Sequence, residues 1–253
     1  MKPYLTVLVP SRGRPHTLTE MAEAFRETCT ESDDRAVTTR LVFVVDTDDP
    51  TLAEYMEALY SVNPYPILTQ IMEHVDGGGM NGALNASAWN VTDPTSGVQR
   101  PFAVASFGDD HRPRTSGWDT RFMETLHEVR TGIVYGDDKL QGAALPTAVA
   151  MTSDIVRALG HMAPGSMRHL YIDNYWLALG QAADCIRYLP DVIIEHMHPG
   201  AGKAPMDEHY ARVNSRESYE HDSAAFERYK ADGSLRRDAD LVRSLRIQSP
   251  PLE

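Results

Sequence analysis

The chain has 253 residues, and 24 Lys plus Arg against 36 Asp plus Glu give it a formal net charge of −12. This acidic balance argues against a surface that binds nucleic acid or anionic lipid mainly through charge, although it leaves room for a small basic site. A hydrophobic fraction of 42% with 24% charged residues is typical of a globular protein and excludes disorder as the main state.

Short apolar runs alternate with helical patterns through the first two thirds of the chain. This order is typical of an α/β domain with a central, mostly parallel sheet flanked by helices. The predicted strands are 4–10, 40–45, 66–72, 101–107, 132–136, 147–151 and 191–197. The predicted helices are 17–28, 51–59, 81–90, 118–130, 154–159, 172–183 and 207–230. Residues 161–169 lack periodicity and predict a mobile loop, and residues 244–253 predict a fraying tail.

The cysteine count and the hydropathy pattern point to a cytoplasmic protein. Cys29 and Cys185 are too few for a disulfide framework, which favours a reducing compartment. No apolar run reaches the ~18 residues of a membrane helix. A strand-like run begins by Tyr4, which leaves no room for a signal peptide. We therefore expect no membrane association.

Polar side chains follow three of the predicted strands at the point where each strand ends. They are Ser11, Arg12 and Arg14 after the first strand, Asp46 after the second, and Asp109, Asp110 and His111 after the fourth. In an open α/β sheet, ligands bind beyond the carboxyl ends of the strands, so these residues predict a site at one edge. The alternative is ordinary loop polarity, because Asp and Gly favour turns.

Asp109 and Asp110 are adjacent carboxylates at the end of a very apolar strand. Two such groups repel each other unless a cation lies near them, and hard oxygen ligands suit Mg²⁺ or Mn²⁺. An Asx-turn with two solvated carboxylates is the alternative. Further along, His196 and His198 are two residues apart, so on a strand they share a face.

Six short motifs, taken in order, carry a family resemblance over about residues 4–203. They are Val9-Pro-Ser-Arg-Gly-Arg14, Val45-Asp46, Gly79-Met-Asn-Gly-Ala-Leu-Asn85, Phe107-Gly-Asp-Asp-His111, Gly117-Trp118-Asp119 and Tyr171-Ile-Asp-Asn-Tyr-Trp176. With this order and spacing, the chain resembles the GT-A glycosyltransferases, especially the inverting family-2-like group. It is also similar to compact soluble glycosyltransferases of phages and actinobacteria.

The resemblance implies a GT-A, Rossmann-like, nucleotide-diphospho-sugar transferase fold. Residues 1–205 would form the catalytic domain, and residues 206–253 a C-terminal helical extension packed on it. The implied activity is transfer of a sugar from a nucleotide-sugar donor, with a UDP-sugar favoured, to an acceptor hydroxyl. The implied cofactor is Mn²⁺ or Mg²⁺.

The resemblance also assigns roles to single residues. Donor contacts are expected from Pro10, Ser11, Arg12, Arg14, Asp46, Asn81, Asn85, Asp109 and Lys203. Metal ligation is expected from Asp110 and His198; since the motif is Asp-Asp-His rather than a separated Asp-x-Asp, the metal-binding aspartate stays open and His111 is a possible substitute. Trp118 is either a core anchor or an acceptor platform. Arg168 and His169 lie in the loop 160–170, which precedes Asp173 and is expected to be a lid that closes over the site; the alternative is an ordinary surface loop.

Asp173 is the predicted catalytic base. An inverting transfer needs one carboxylate to take the proton of the acceptor hydroxyl. Ile172 and Trp176 would give Asp173 an apolar neighbourhood, which would raise its pKa. The alternative is a helix N-terminal aspartate that only stabilises the helix dipole.

Two other functions remain open at this point, a nucleotidyltransferase and a catalytically inactive nucleotide-sugar-binding module. The acceptor is expected to be a phage virion protein or a hydroxymethylated DNA base, in the host cytoplasm if a phage encodes the chain. The net charge of −12 makes DNA the less favoured acceptor. The oligomeric state is expected to be monomer or homodimer.

Overall fold

The computed structural model describes residues 4–30, 39–62, 68–74, 79–95, 100–204, 206 and 208–248. The strands are β1 Leu5–Ser11, β2 Thr39–Asp46, β3 Leu68–His74, β4 Ala103–Ser106, β5 His111–Pro113, β6 Ile133–Asp137, β7 Val149–Thr152 and β8 Ile186–His196. The α-helices are α1 Pro15–Thr28, α2 Leu52–Val62, α3 Gly79–Thr92, α4 Trp118–Val129, α5 Ser153–Leu159, α6 Ile172–Ala182, α7 Glu208–Val213, α8 Arg216–Ala231 and α9 Ser234–Gln248.

The strands form one eight-stranded sheet in the order β3-β2-β1-β4-β7-β6-β8-β5. Strands β3, β2, β1 and β4 are mutually parallel, β7 is antiparallel to both β4 and β6, and β8 is parallel to β6. The predicted mostly parallel α/β sheet is thus confirmed. The carboxyl ends of β1, β2, β3, β4, β6 and β8 consequently lie along one side of the sheet, which we call the carboxyl edge.

The sheet is buried on both faces, which explains why its strands read as continuous apolar runs. Leu5, Val7 and Val9 of β1 belong to a core cluster with side chains of α1, α2 and α4. Leu8 points to the opposite face and belongs to a second cluster with side chains of α3, α5, α6, α8 and α9. Successive residues of a strand face opposite sides of the sheet, so each apolar residue of β1 contributes to one of the two cores.

The C-terminal part differs from the sequence prediction. The single predicted helix over 207–230 is two helices, because Ser215 caps α8 by accepting a hydrogen bond from the Ser218 N–H. The predicted tail is wrong over residues 244–248, which belong to α9. Ala239 and Val242 of that helix are fully buried in the core cluster shared with α5 and α6, and this packing holds the helix.

Two further differences concern strands. The strand predicted at 191–197 begins five residues earlier, at Ile186, and passes through Pro190 where the β6–β8 register shifts. The short strand β5 was not predicted. Residues 66 and 67 of the third predicted strand and residues 249–253 of the predicted tail lie outside the described residues.

Among the described helices, none has the length and apolar composition that crossing a lipid bilayer requires.

Candidate functional site

Asp110, His111 and His196 meet at the carboxyl edge. Each offers one ligand atom, and these atoms lie within 4.8 Å of one another. The antiparallel pairing of β5 with β8 sets His111 opposite His196, and their rings stack with centroids 4.3 Å apart. We call these three residues the Asp–His cluster. It forms because two strands that are distant in sequence are neighbours in the sheet.

Asp110 lies between the two imidazoles. Its Oδ2 is 3.2 Å from His196 Nε2, and its Oδ1 is 3.3 Å from His111 Nδ1. Gly108 makes this approach possible, since a Cβ at that position would lie 2.6 Å from Asp110 Oδ1 and 2.9 Å from His111 Nδ1. Glycine is therefore required by close contact with the cluster.

The hydrogen bonds around His111 assign its tautomer. Thr147 Oγ1 donates to Asp138 Oδ2 at 2.8 Å, so it can only accept from His111 Nε2, which is 3.3 Å away. His111 Nδ1 then carries a lone pair, in agreement with the Gly108 N–H that donates to it at 3.0 Å. A metal could take this lone pair only by replacing the Gly108 N–H, whereas the Asp110 carboxylate beside it is an electron-pair donor that favours a nearby cation.

The electrostatics of the cluster also favour a bound cation. Burial alone would lower the pKa of His196, but the carboxylates of Asp110 and Asp138 outweigh it and raise the pKa to about 9. Burial would raise the pKa of Asp110, but His111 and His196 hold it well below its usual range. Burial and the charge on His196 lower the pKa of His111. A proton on His196 therefore balances the Asp110 charge, a role that a divalent metal could also fill.

Asp138 is a site residue that sequence reasoning missed. Its Oδ1 accepts hydrogen bonds from three backbone N–H groups, those of Leu140, Gln141 and Gly142, at 2.6–2.9 Å. Its Oδ2 lies 3.9 Å from His196 Nδ1. The sequence did contain a signal for Asp138: the adjacent carboxylates Asp137 and Asp138 follow the strand predicted at 132–136, just as Asp109 and Asp110 follow the strand predicted at 101–107. Only the position of β6 beside β8 makes it part of the site.

Asp173 lies in the first turn of α6, where its Oδ1 accepts the Asn174 N–H at 2.9 Å. Burial raises the pKa of this carboxyl; the charge on Asp138 adds to that effect and the charge on His196 opposes it. The direction agrees with the rise expected from the sequence. Asp173 therefore lies close enough to Asp138 and His196 for their charges to affect its pKa.

The loop after β1 holds Asp109 rather than leaving it free. Ser11 Oγ donates to Asp109 Oδ2 at 2.6 Å, and Arg14 Nη1 donates to Asp109 Oδ1 at 3.1 Å. Tyr55 hydroxyl lies 2.6 Å from Ser11 Oγ and extends this buried network into α2. Burial and the charge on Asp110 raise the pKa of Asp109. The structure thus places Asp110, and not Asp109, in the Asp–His cluster.

At the end of β2, Asp46 is held from two sides. Arg12 Nη1 donates to Asp46 Oδ2 at 2.9 Å and to Asp48 Oδ1 at 2.6 Å. His74, at the end of β3, lies with its Nδ1 3.1 Å from Asp46 Oδ1. His74 was missed because the third strand gave only a weak sequence pattern. Pro10, another predicted donor contact, is the last but one residue of β1 and directly precedes Ser11 and Arg12.

The structure does not bring His198 into the Asp–His cluster. Its Nδ1 accepts the Gly200 N–H at 3.0 Å, so the proton of a neutral ring is on Nε2, which lies 2.7 Å from the Tyr210 hydroxyl. Neither nitrogen then offers a free lone pair to a metal. Lys203 Nζ donates to Glu195 Oε1 at 2.9 Å, so this lysine is paired with a strand carboxylate.

Of the two alternatives for Trp118, the structure favours the core anchor. Trp118 is 0% exposed and packs against Phe25, Phe107 and Phe122, so it is a core anchor and presents no surface to an acceptor.

Asn81 and Asn85 of α3 bind protein backbone, and their predicted contact with a donor stays a prediction. Asn81 Nδ2 donates to the carbonyls of Pro164 and Met167, at 2.9 and 2.7 Å. Asn85 Nδ2 donates to the Ala163 carbonyl at 2.8 Å, and its Oδ1 accepts backbone N–H groups of the same loop. Both asparagines are therefore anchors of the loop that precedes α6.

That loop, residues 160–171, is packed and hydrogen-bonded, where a mobile lid was expected. Met162, Ala163 and Met167 are fully buried. The backbone N–H groups of Arg168 and His169 donate to Asp222 of α8, at 3.0 Å each. The Arg168 side chain is exposed, and the His169 side chain is partly exposed. Their predicted contact with an acceptor stays a prediction.

Comparison with solved structures shows the same fold in other proteins. A mannosyltransferase from Pyrobaculum calidifontis, PcManGT, in complex with GDP-Man and Mn²⁺, matches 96% of this chain and 79% of its own, with a TM-score of 0.59 and 14% identity. TarS of S. aureus matches 85% of this chain with a TM-score of 0.55 and 10% identity. The chain spans only 44% of the TarS chain. No protein-family model matches the sequence, and no curated protein is recognisably similar to it.

Proposed function

We propose that the protein is a metal-dependent glycosyltransferase that moves a sugar from a nucleoside-diphosphate sugar to an acceptor hydroxyl. The observation that carries the proposal is the Asp–His cluster, Asp110 with His111 and His196, at the carboxyl edge of this fold. Ligands of open α/β sheets bind at that edge. A protein with the same fold holds GDP-Man and Mn²⁺ together.

The donor set of the cluster fits a divalent cation. One carboxylate and two imidazoles are ligands that Mn²⁺ accepts, and Mg²⁺ is served by the carboxylate with water. When bound, the metal would offset the negative charge that develops on the departing nucleoside diphosphate. His111 Nδ1 carries a lone pair that now accepts the Gly108 N–H, and a bound metal would replace that N–H as its partner.

Asp173 is the proposed base. As the acceptor oxygen forms its bond to the anomeric carbon, the bond to the diphosphate oxygen breaks, and the acceptor proton passes to the Asp173 carboxylate. Its raised pKa makes this carboxylate a better proton acceptor than a solvated aspartate. Attack from the side opposite the leaving group inverts the anomeric carbon.

The residues after β1 and β2 are proposed to receive the nucleotide. Arg12 and Arg14 supply positive charge after β1, and both are already oriented by aspartates, Arg12 by Asp46 and Arg14 by Asp109. The Asp46 carboxylate, fixed by Arg12 and His74, is available to the donor groups of a base or ribose. Lys203 is proposed to approach the diphosphate by exchanging its partner Glu195.

A phage virion protein and a hydroxymethylated DNA base are the two acceptors we propose to test. The net charge of −12 favours the protein, because DNA binding depends on neutralising phosphates with positive side chains.

The proposal is tested by measuring nucleoside diphosphate release from UDP-, GDP-, dTDP- and ADP-sugars with Mn²⁺, Mg²⁺ or EDTA. We expect slow hydrolysis of one donor that needs metal and is lost in Asp110→Asn and Asp173→Asn. Pyrophosphate release from a nucleoside triphosphate and a sugar phosphate would identify a nucleotidyltransferase instead. If no nucleotide raised the melting temperature in the presence of Mn²⁺, the proposed function would be refuted.

A further inference from the structure

The carboxylate of Asp222, in α8, binds the turn that leads into α6. It accepts the backbone N–H groups of Arg168, His169 and Leu170, three consecutive residues, at 3.0, 3.0 and 2.8 Å. Asp222 is only 1% exposed, and its Oδ1 is 2.8 Å from His221 Nδ1. Burial would raise the pKa of Asp222, but these hydrogen bonds outweigh it and keep the group ionised. The turn is therefore tied to α8 by a buried charge.

The same helix supports a strained residue in this turn. Tyr171, the residue just before α6, has φ 64° and ψ 3°, a left-handed conformation that is unfavourable for a bulky side chain. Its ring packs against Tyr219 and Phe226, both in α8, with centroids 5.3 and 6.0 Å apart. Such strain persists only where the surroundings fix the residue, and here α8 supplies those surroundings.

Helix α3 holds the other side of the loop. The Asn81 side chain donates to two carbonyls in the segment 164–167, and the Asn81 N–H donates to the Arg168 carbonyl at 3.1 Å. Arg168 thus has its carbonyl bound by α3 and its N–H bound by Asp222. The position of the turn is determined jointly by an early helix and by a helix of the C-terminal part.

We infer that Asp222 is a positioning residue for Asp173, and that α8 is therefore needed to build the active site. Only two residues separate Leu170, the last residue whose amide Asp222 binds, from Asp173: the left-handed Tyr171 and Ile172, the first residue of α6. A shift of this turn would move the start of α6 and the Asp173 carboxylate with it. The inference rests on the proposed function, in which Asp173 is the base.

The test compares Asp222→Asn with two controls in the full-length protein. The asparagine keeps the shape but replaces one acceptor oxygen by an N–H₂ group that cannot accept from the turn. Glu220→Gln makes the same chemical change on the exposed side of α8, where Glu220 pairs with Arg216. Asp119→Asn removes a buried carboxylate from the opposite end of the sheet, beside Thr39 at the start of β2, and controls for lost stability.

Nucleoside diphosphate release per minute gives the turnover. Calorimetry with Mn²⁺ gives the stoichiometry and the affinity of UDP or GDP binding. For Asp222→Asn we expect the turnover per nucleotide-binding site to fall roughly tenfold or more, with nucleotide affinity within about twofold of the wild type. Both controls should retain wild-type turnover per site. Amide hydrogen exchange over 168–174 should be faster in Asp222→Asn alone.

If Asp222→Asn keeps wild-type turnover per site while Asp173→Asn is inactive, the inference is wrong and the proposed function stands. If the wild type releases no nucleotide and binds none, the proposed function fails, and this inference fails with it. If Asp222→Asn does not fold, Tyr219→Ala replaces it. Tyr219 is 55% exposed, so its loss removes the support of Tyr171 at little cost to the core, and a smaller drop in turnover is expected. An unchanged turnover in Tyr219→Ala would then overturn the inference.

Discussion

Aspartates lie at both ends of the sheet, but with different partners: Asp119 is fully buried, whereas the Asp110 side chain is 23% exposed. Asp119, near the amino ends of the strands, accepts hydrogen bonds from the Thr30 N–H and hydroxyl and from the Thr39 hydroxyl, at 2.6–3.0 Å. Asp110, at the carboxyl edge, instead lies between two imidazoles. Neutral donors fix a carboxylate permanently, whereas imidazoles can exchange a proton or yield their lone pairs to a metal. The comparison separates an aspartate that holds the fold from one suited to chemistry.

The largest expected effect is on Mn²⁺ affinity, and it should differ between substitutions of His196 and His198. His196→Gln removes a member of the Asp–His cluster. Loss of a residue that only hydrogen-bonds to a metal ligand weakens metal binding by about 10–100-fold, and loss of His196 itself should weaken Mn²⁺ binding by more than that. His198→Gln should weaken it less than tenfold, since both of its ring nitrogens are hydrogen-bonded elsewhere. Calorimetric titration with Mn²⁺ measures both constants. The reverse order would restore His198 as the metal ligand.

Asp173→Asn should lower turnover by about 10²–10⁴-fold, the usual share of a general base. It should also raise the free energy of unfolding at neutral pH. Because the pKa of Asp173 is raised in the folded protein, the folded state favours the protonated carboxyl. Ionised Asp173 therefore lowers the free energy of unfolding once the pH exceeds the usual Asp pKa of about 3.9. The gain should disappear as the pH falls below that value. Denaturant unfolding at several pH values checks this, and a variant that is less stable at pH 7 would contradict it.

Asp138 combines both kinds of environment. It accepts three backbone N–H groups, yet it also faces His196. Asp138→Asn should therefore lower stability by about 1–3 kcal/mol and weaken Mn²⁺ binding by about tenfold. The two losses are measured separately, by urea unfolding without metal and by Mn²⁺ titration. Loss of stability with unchanged Mn²⁺ affinity would show that Asp138 only holds the fold.

Asp119→Asn should have the smallest effect on activity. Loss of acceptor capacity at this buried position should lower the free energy of unfolding by about 1–3 kcal/mol. Turnover per folded molecule should stay at the wild-type level, because Asp119 lies at the opposite end of the strands from the Asp–His cluster. Urea unfolding and an assay below the transition check the two parts. A large loss of turnover in Asp119→Asn would contradict the view that Asp119 only holds the fold while the Asp–His cluster serves the reaction.

Sequence by itself determined the fold class and the place of the site. The apolar runs that become β1, β2 and β4 are long enough and continuous enough to indicate strands buried on both faces. Such strands imply a parallel sheet covered by helices. Polar residues that directly follow those strands had to lie at the carboxyl edge. The adjacent pair Asp109 and Asp110 followed from this local pattern, whereas the roles of Asp110 and Asp173 came from the family resemblance.

Tertiary structure alone decided which of the polar residues meet. His196 rather than His198 joins Asp110, because the pairing of β5 with β8 sets the register there. Asp138 enters because β6 lies beside β8. Asp222 binds a turn more than 50 residues earlier in the chain. Each of these contacts joins segments far apart in sequence, and no periodicity or spacing within one segment encodes the partner it will find.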